Sequence, residues 1–162
     1  MKDLTNLLFE TNAFNIAKEN KPFWYTSGKI GPYFVNGEFF YGSDADSKEL
    51  LAFIDSELEN ETKENIPAHI FEKVLAHYNS NEIYKTTIDA MVEYIKESVD
   101  VTKIDYISGG ERRDWFFSNM IAYILEKPHV TIYKDLSTVI SDYKFIENAP
   151  VEKIEGKNFL HV

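Results

Sequence analysis

Residues 104–135, IDYISGGERRDWFFSNMIAYILEKPHVTIYKD, leave few folds open. A short β-prone run over 104–108 leads into Gly109-Gly110, which reads as a tight turn. A helix follows over 112–126, with Trp115, Phe116, Met120, Ile121, Tyr123 and Ile124 covering much of its surface. Pro128 stops it, and 130–133 is a second strand. Two strands joined by a crossover helix lie parallel in one sheet. The expected fold class is therefore α/β, a parallel core sheet flanked by helices.

The glycine turn sits at the carboxyl end of its strand. Glycine there lets backbone approach a ligand, and the helix start beyond it offers N–H groups and a positive dipole end to an anion. Arg112 and Arg113 add charge and bidentate donors at that spot. Lys134, followed by Asp135, falls on the same edge of the sheet after the second strand. The competing reading is a plain turn whose arginines pair with the chain's own surface acids.

Composition narrows the partners. A net charge of -10 argues against an unaided binder of nucleic acid or anionic membrane. The absence of cysteine excludes disulfides and thiolate metal sites. No apolar run is long enough for a bilayer, and MKDLTNLLFE lacks a signal-peptide pattern, so a soluble cytoplasmic protein is expected. His69, His77, His129 and His161 show no metal-ligand spacing, so no protein metal site is expected, and no P-loop, GxGxxG or GxSxG motif occurs.

The remaining chain parses into helices and short strands. A helix over 3–11 ends at Asn12, and 13–17 is a short strand. FWYTSGKIGPYFVN reads as a hairpin broken at SGKIGP, with Phe23, Trp24, Tyr25, Tyr33 and Phe34 expected to pack as core. Ser43 caps a helix running to residue 60, Pro67 opens one to residue 78, and Asn81 caps another to residue 98. Residues 137–155 are polar and aperiodic, a flap or irregular hairpin in which Pro150 argues against a central strand. GKNFLHV is a last strand. The expectation is one domain over 1–162: an N-terminal helix and hairpin over 1–43, a helical insertion over 59–100, and a βαβ core over 101–162.

Two segments together resemble the orotate phosphoribosyltransferases, type I phosphoribosyltransferases. FWYTSGKIGPYFVN resembles their N-terminal hairpin, and ISGGERRDWFF sits where they carry a pyrophosphate-binding loop. IYKD and GKNFLHV resemble the next two strands of that family. The resemblance implies transfer of a phosphoribosyl group between phosphoribosyl diphosphate and a pyrimidine-like base, with Mg2+ on the diphosphate and a homodimer as the assembly. It implies a diphosphate side made of Gly109, Gly110, Glu111, Arg112, Arg113 and Lys134. On the base side it implies Thr26, Ser27, Gly28, Lys29 and Phe34, with Thr26 standing where the family has a substrate-contacting lysine. It assigns 137–155 to a mobile flap carrying Lys144 and Lys153. The family's acidic donor loop has no counterpart before Val162, which implies the front part of a longer protein, inactive or nearly so in this form. Two other readings keep the same residues: a regulatory module binding a nucleotide or sugar phosphate, and an interaction protein working through the inserted helices.

Overall fold

The structure is a computed structural model that describes residues 4–148 and 154–162. Its centre is β5 (Tyr106–Gly110), α5 (Trp115–Leu125) and β6 (His129–Ile132), the βαβ unit legible in the sequence. β5 pairs in parallel with β6 on one side and with β8 (Phe159–His161) on the other. The fourth strand, β7 (Thr138–Ser141), runs antiparallel along the outer side of β6. The sheet is thus mixed, in the order β7-β6-β5-β8. The fold is α/β, a mixed central sheet flanked by helices.

Two boundaries differ from the sequence reading. Gly109 and Gly110 are the last two residues of strand β5, paired with Thr131 and Ile132, and the turn comes after them at 111–114. Gly109 is demanded by packing: a Cβ there would lie 2.2 Å from the Ser118 hydroxyl and 2.8 Å from its Cβ. The helix starts at Trp115, so both arginines stand outside it. It ends at Leu125, where Glu126 takes a left-handed conformation at φ 53° and Lys127 N–H donates to Ala122 O. The segment read as a flap or irregular hairpin contributes β7, with Ile140 and Ser141 buried and Ser141 bridged to Asn148. Alternation is too short there to signal a strand, and pairing with β6 supplies what pattern does not. Pro150 and Lys153 lie outside the described residues.

α5 is apolar on nearly every side, and Trp115, Phe116, Met120, Ile121 and Ala122 are all fully buried. A helix of that kind needs cover on two faces. The sheet provides one. The other comes from the helical hairpin α3 (Ile66–Ser80) and α4 (Glu82–Ser98), which packs on α5. Tyr84 of α4 is fully buried and donates its hydroxyl to Phe116 O. A short 3₁₀ helix, Gly37–Tyr41, joins in: the Tyr41 ring stacks on His77 at 4.1 Å and meets the edges of Tyr84 and Phe116 at 4.7 and 5.2 Å. α2 (Asp44–Asn60) closes this layer, with Leu50 and Ile54 buried. Its cap is the one the sequence predicts, the Ser43 hydroxyl accepting from Asp46 N–H at 3.1 Å. Asn81 caps α4 in the same way, at 3.0 Å to Tyr84 N–H.

The N-terminal lobe carries the largest departure. α1 (Thr5–Glu10) leads through Asn12, left-handed at φ 54°, into β1 (Phe14–Ile16). β2 (Phe23–Trp24) pairs with β3 (Ile30–Gly31), whereas β4 (Tyr33–Val35) pairs with β1. The expected single hairpin is therefore two small ribbons. Their aromatics do not form core: Trp24 is 77% exposed, Tyr33 52% and Phe34 40%, while Phe23 and Tyr25 are only half-buried. Two-stranded ribbons have too few inward positions to bury both faces. The rings pack on each other, Phe14 on Tyr33 at 5.6 Å and Phe23 beside Phe34 at 5.9 Å.

Beneath the sheet end lies a buried polar network. His129 is fully buried, its two ring nitrogens 2.9 Å from the Ser118 hydroxyl and 3.0 Å from that of Thr131. Burial alone pushes its pKa down from 6.5 to about 3. The folded chain then holds fewer protons than the unfolded one below pH 6.5, so stability is full above that pH and falls as pH drops toward 3. From about pH 6 to about pH 5 the loss should be about 1 kcal/mol. Over that interval His69, whose pKa is raised chiefly by its hydrogen bond to Glu57, is protonated folded and largely so unfolded, and adds little slope. Urea titrations at the two pH values check this, and in His129→Gln the slope should vanish.

Candidate functional site

The site is built at the carboxyl end of β5 and β6. Glu111 to Asp114 bridge the strand and α5, and the Glu111–Arg112 peptide bond is cis. Several loop and helix donors are already used. Gly110 N–H donates to the Asp114 carboxylate at 3.1 Å, Glu111 N–H to Ile132 O at 2.9 Å, and Phe116 N–H to Arg113 O at 3.1 Å. Phe117 and Ser118 N–H both donate to Asp114 O. Among the described residues, no protein acceptor takes the N–H groups of Arg112, Arg113 and Asp114. The Trp115 N–H has no such acceptor either, so the free donors of this site run from the turn into the helix start that the sequence pointed to. The Trp115 indole N–H fixes the strand end by donating to Gly109 O at 3.0 Å.

All three cations stand at this end of the sheet, and each has a carboxylate partner. Arg112 pairs with Asp55 of α2. The Arg113 Nε lies 2.5 Å from Glu38, in the 3₁₀ helix that follows the aromatic lobe. Lys134 sits in the turn after β6, with Nζ 3.6 Å from Glu111 Oε1 and its N–H donating to Glu111 Oε2 at 3.1 Å. The Glu111 side chain is only 9% exposed and cross-braces the two loops. The sequence reading placed Glu111 on the diphosphate side and did not find Glu38 or Asp55. Nothing local marks those two acids, because their partners lie far along the chain, 57 residues away for Asp55.

A second brace lies beside Lys134. Lys63, from the segment between α2 and α3, places Nζ 2.5 Å from Asp135 and 2.7 Å from the Ser137 hydroxyl. The Lys63 ammonium and then the Ser137 hydroxyl hold the Asp135 carboxyl well below the usual carboxylate range. Tyr133, buried, donates its hydroxyl to Lys63 O at 2.7 Å. Burial, then the charges of Glu64, Glu111 and Asp135, keep that phenol protonated.

The residues for which the sequence resemblance implies a base side lie in the N-terminal lobe. Thr26, Ser27 and Gly28 form the exposed turn between β2 and β3, with Gly28 at φ 77° and Tyr25 N–H closing the turn onto Lys29 O at 2.8 Å. Phe34 is on β4. Among the described residues, the recorded side-chain contact between the site and the stretch just after this lobe is Arg113 to Glu38. Gly109, Gly110, Glu111, Arg112, Arg113 and Lys134 are brought together at the ends of β5 and β6, and Thr26, Ser27, Gly28, Lys29 and Phe34 lie on the N-terminal ribbons. No cluster of three or more His, Asp or Glu side chains suited to a metal ion occurs among the described residues. Among the described residues, no helix is long and apolar enough to cross a membrane.

No family model matches this chain, and no curated protein matches it. Among solved structures it aligns with the orotate phosphoribosyltransferase of Francisella tularensis at a TM-score of 0.47 and 17% identity, over 99% of this chain and 54% of that one. The chain spans about half the length of that enzyme. At that TM-score and identity the likeness carries no weight of its own.

Gly109→Ala should cost about 1–3 kcal/mol, because the new methyl group meets a buried side chain on a packed helix. A lower urea midpoint with an unchanged slope checks it. A wild-type midpoint would mean that α5 can shift away from β5.

Proposed function

We propose that this chain carries the diphosphate side of a phosphoribosyltransferase of the orotate type, acting between phosphoribosyl diphosphate and a pyrimidine-like base. The observation that supports the reading is the 111–114 turn. It places Arg112 and Arg113 at the carboxyl end of two parallel strands, next to Lys134 of the neighbouring turn and beside four backbone N–H groups, those of residues 112–115, that have no acceptor among the described residues. Ligands of α/β sheets bind at that end of the strands. Moving a phosphoribosyl group requires that the departing diphosphate be held and its charge stabilised, and guanidinium and amide donors do both. Gly109 and Gly110 carry the turn, Glu111 braces it, and Thr26, Ser27, Gly28, Lys29 and Phe34 make the base side that the sequence resemblance implies.

Among the described residues, none make a protein cage for magnesium. Such an ion would arrive on the diphosphate, the usual manner for magnesium bound with phosphates. Titration calorimetry with phosphoribosyl diphosphate, with and without magnesium, tests the reading. Arg113→Ala should weaken binding about tenfold or more. Absence of binding, or binding untouched by the substitution, would sink it. Thr26, where the family has a lysine, favours a second reading, a module that binds a sugar phosphate without transfer. Equal affinity for ribose 5-phosphate and phosphoribosyl diphosphate would support that module.

We also propose self-association through the N-terminal lobe. Ile16, Trp24, Ile30, Tyr33 and Phe34 are exposed apolar side chains gathered within one small lobe, a concentration typical of interaction surfaces. The interaction surface is then the lobe, whereas the α3–α4 hairpin spends its apolar face on α5. Sedimentation should show a dimer that Trp24→Ser with Tyr33→Ser converts to monomer, and a wild-type monomer at every concentration would refute it.

A further inference from the structure

We infer that Glu38 and Asp55 gate the 111–114 turn: their carboxylates occupy the guanidinium groups that an incoming phosphate must take. The inference rests on the anion-site reading of that turn.

Both gating acids belong to one rigid unit. Asp55 is on α2. Glu38 lies in the 3₁₀ helix tied to the start of α2, with its carbonyl oxygen accepting from the Ser47 hydroxyl at 2.6 Å. Its side chain is 19% exposed against 53% for that of Arg113, so the pair is a partly exposed one anchored on the Glu38 side. Asp55 is more open, at 49%. The two acids thus form a clasp from α2 onto the turn between β5 and α5.

The charge around the turn sets the direction of the effect. Arg112, Arg113 and Lys134 face Glu38, Asp55, Glu111 and Asp114. Acids outnumber cations, so a polyanion meets a rim that repels it until a carboxylate is displaced. Glu111 and Asp114 are committed to the turn itself, by Lys134 N–H and Gly110 N–H. Glu38 and Asp55 come from outside it and can let go without unravelling it. Replacing either by its amide keeps one oxygen that can accept from the guanidinium, removes the charge and exchanges the second oxygen for an NH2 group.

Inorganic pyrophosphate is the probe, titrated into the full chain as wild type, Glu38→Gln, Asp55→Asn and the double variant. Each single variant should bind about two- to fivefold tighter, the range of a partly exposed ion pair. The double variant should gain about the product, and added salt should narrow the differences. If wild type binds and Arg113→Ala does not, yet the amide variants bind equally or more weakly, the acids orient the arginines. The gate is then wrong and the anion site stands. If no variant binds, both readings fall. Melting curves confirm folding, and Asp55→Asn, at a half-exposed position, carries the test should Glu38→Gln unfold.

Discussion

The structure depends on the burial of α5. An eleven-residue helix with apolar side chains around almost its whole circumference has no solvent face to offer. The sheet takes the side bearing Trp115 and Ser118. The opposite side, with Phe116, has to be covered by something else, and the α3–α4 hairpin with Tyr41 and α2 is that cover. Burying side chains of this size contributes about 1.5–3 kcal/mol each, which makes the helical layer a condition of the fold. The stretch that the sequence resemblance marks as an insertion therefore supplies the other half of the core.

The same packing positions the site. Ser118 presses on Gly109 and hydrogen-bonds His129, while Trp115 holds the Gly109 carbonyl. The strand end is gripped from below, so the turn that follows projects its arginines from a fixed base. Such support from rigid elements is what lets a loop hold an orientation. Where those arginines go is then decided by supply. The chain has 27 acids against 17 lysines and arginines, and the cations at this edge find carboxylates of their own chain.

Much of the architecture was legible in sequence because it is set locally. Ser43 and Asn81 cap their helices through atoms three residues away, and Asn12 turns left-handed where a helix must stop. The β5–α5–β6 order follows from composition and punctuation alone. The cluster of Gly109, Gly110, Glu111, Arg112, Arg113 and Lys134 was foreseeable too, since parallel strands bring their carboxyl ends to one edge.

Tertiary structure decided the rest, for reasons that do not reside in any short segment. β7 is a strand because β6 has an open edge beside it, and Gly109-Gly110 extends β5 because Thr131 and Ile132 are there to pair with. Trp24, Tyr33 and Phe34 are exposed because two ribbons cannot bury both faces, although their residue types alone pointed to core. Above all, the partners of Arg112 and Arg113 are acids on distant elements. Sequence by itself determined that three cations would meet at the end of a parallel sheet. Only the fold, by packing α2 and its preceding 3₁₀ helix against that end, determined that two of them would arrive there already paired with Asp55 and Glu38.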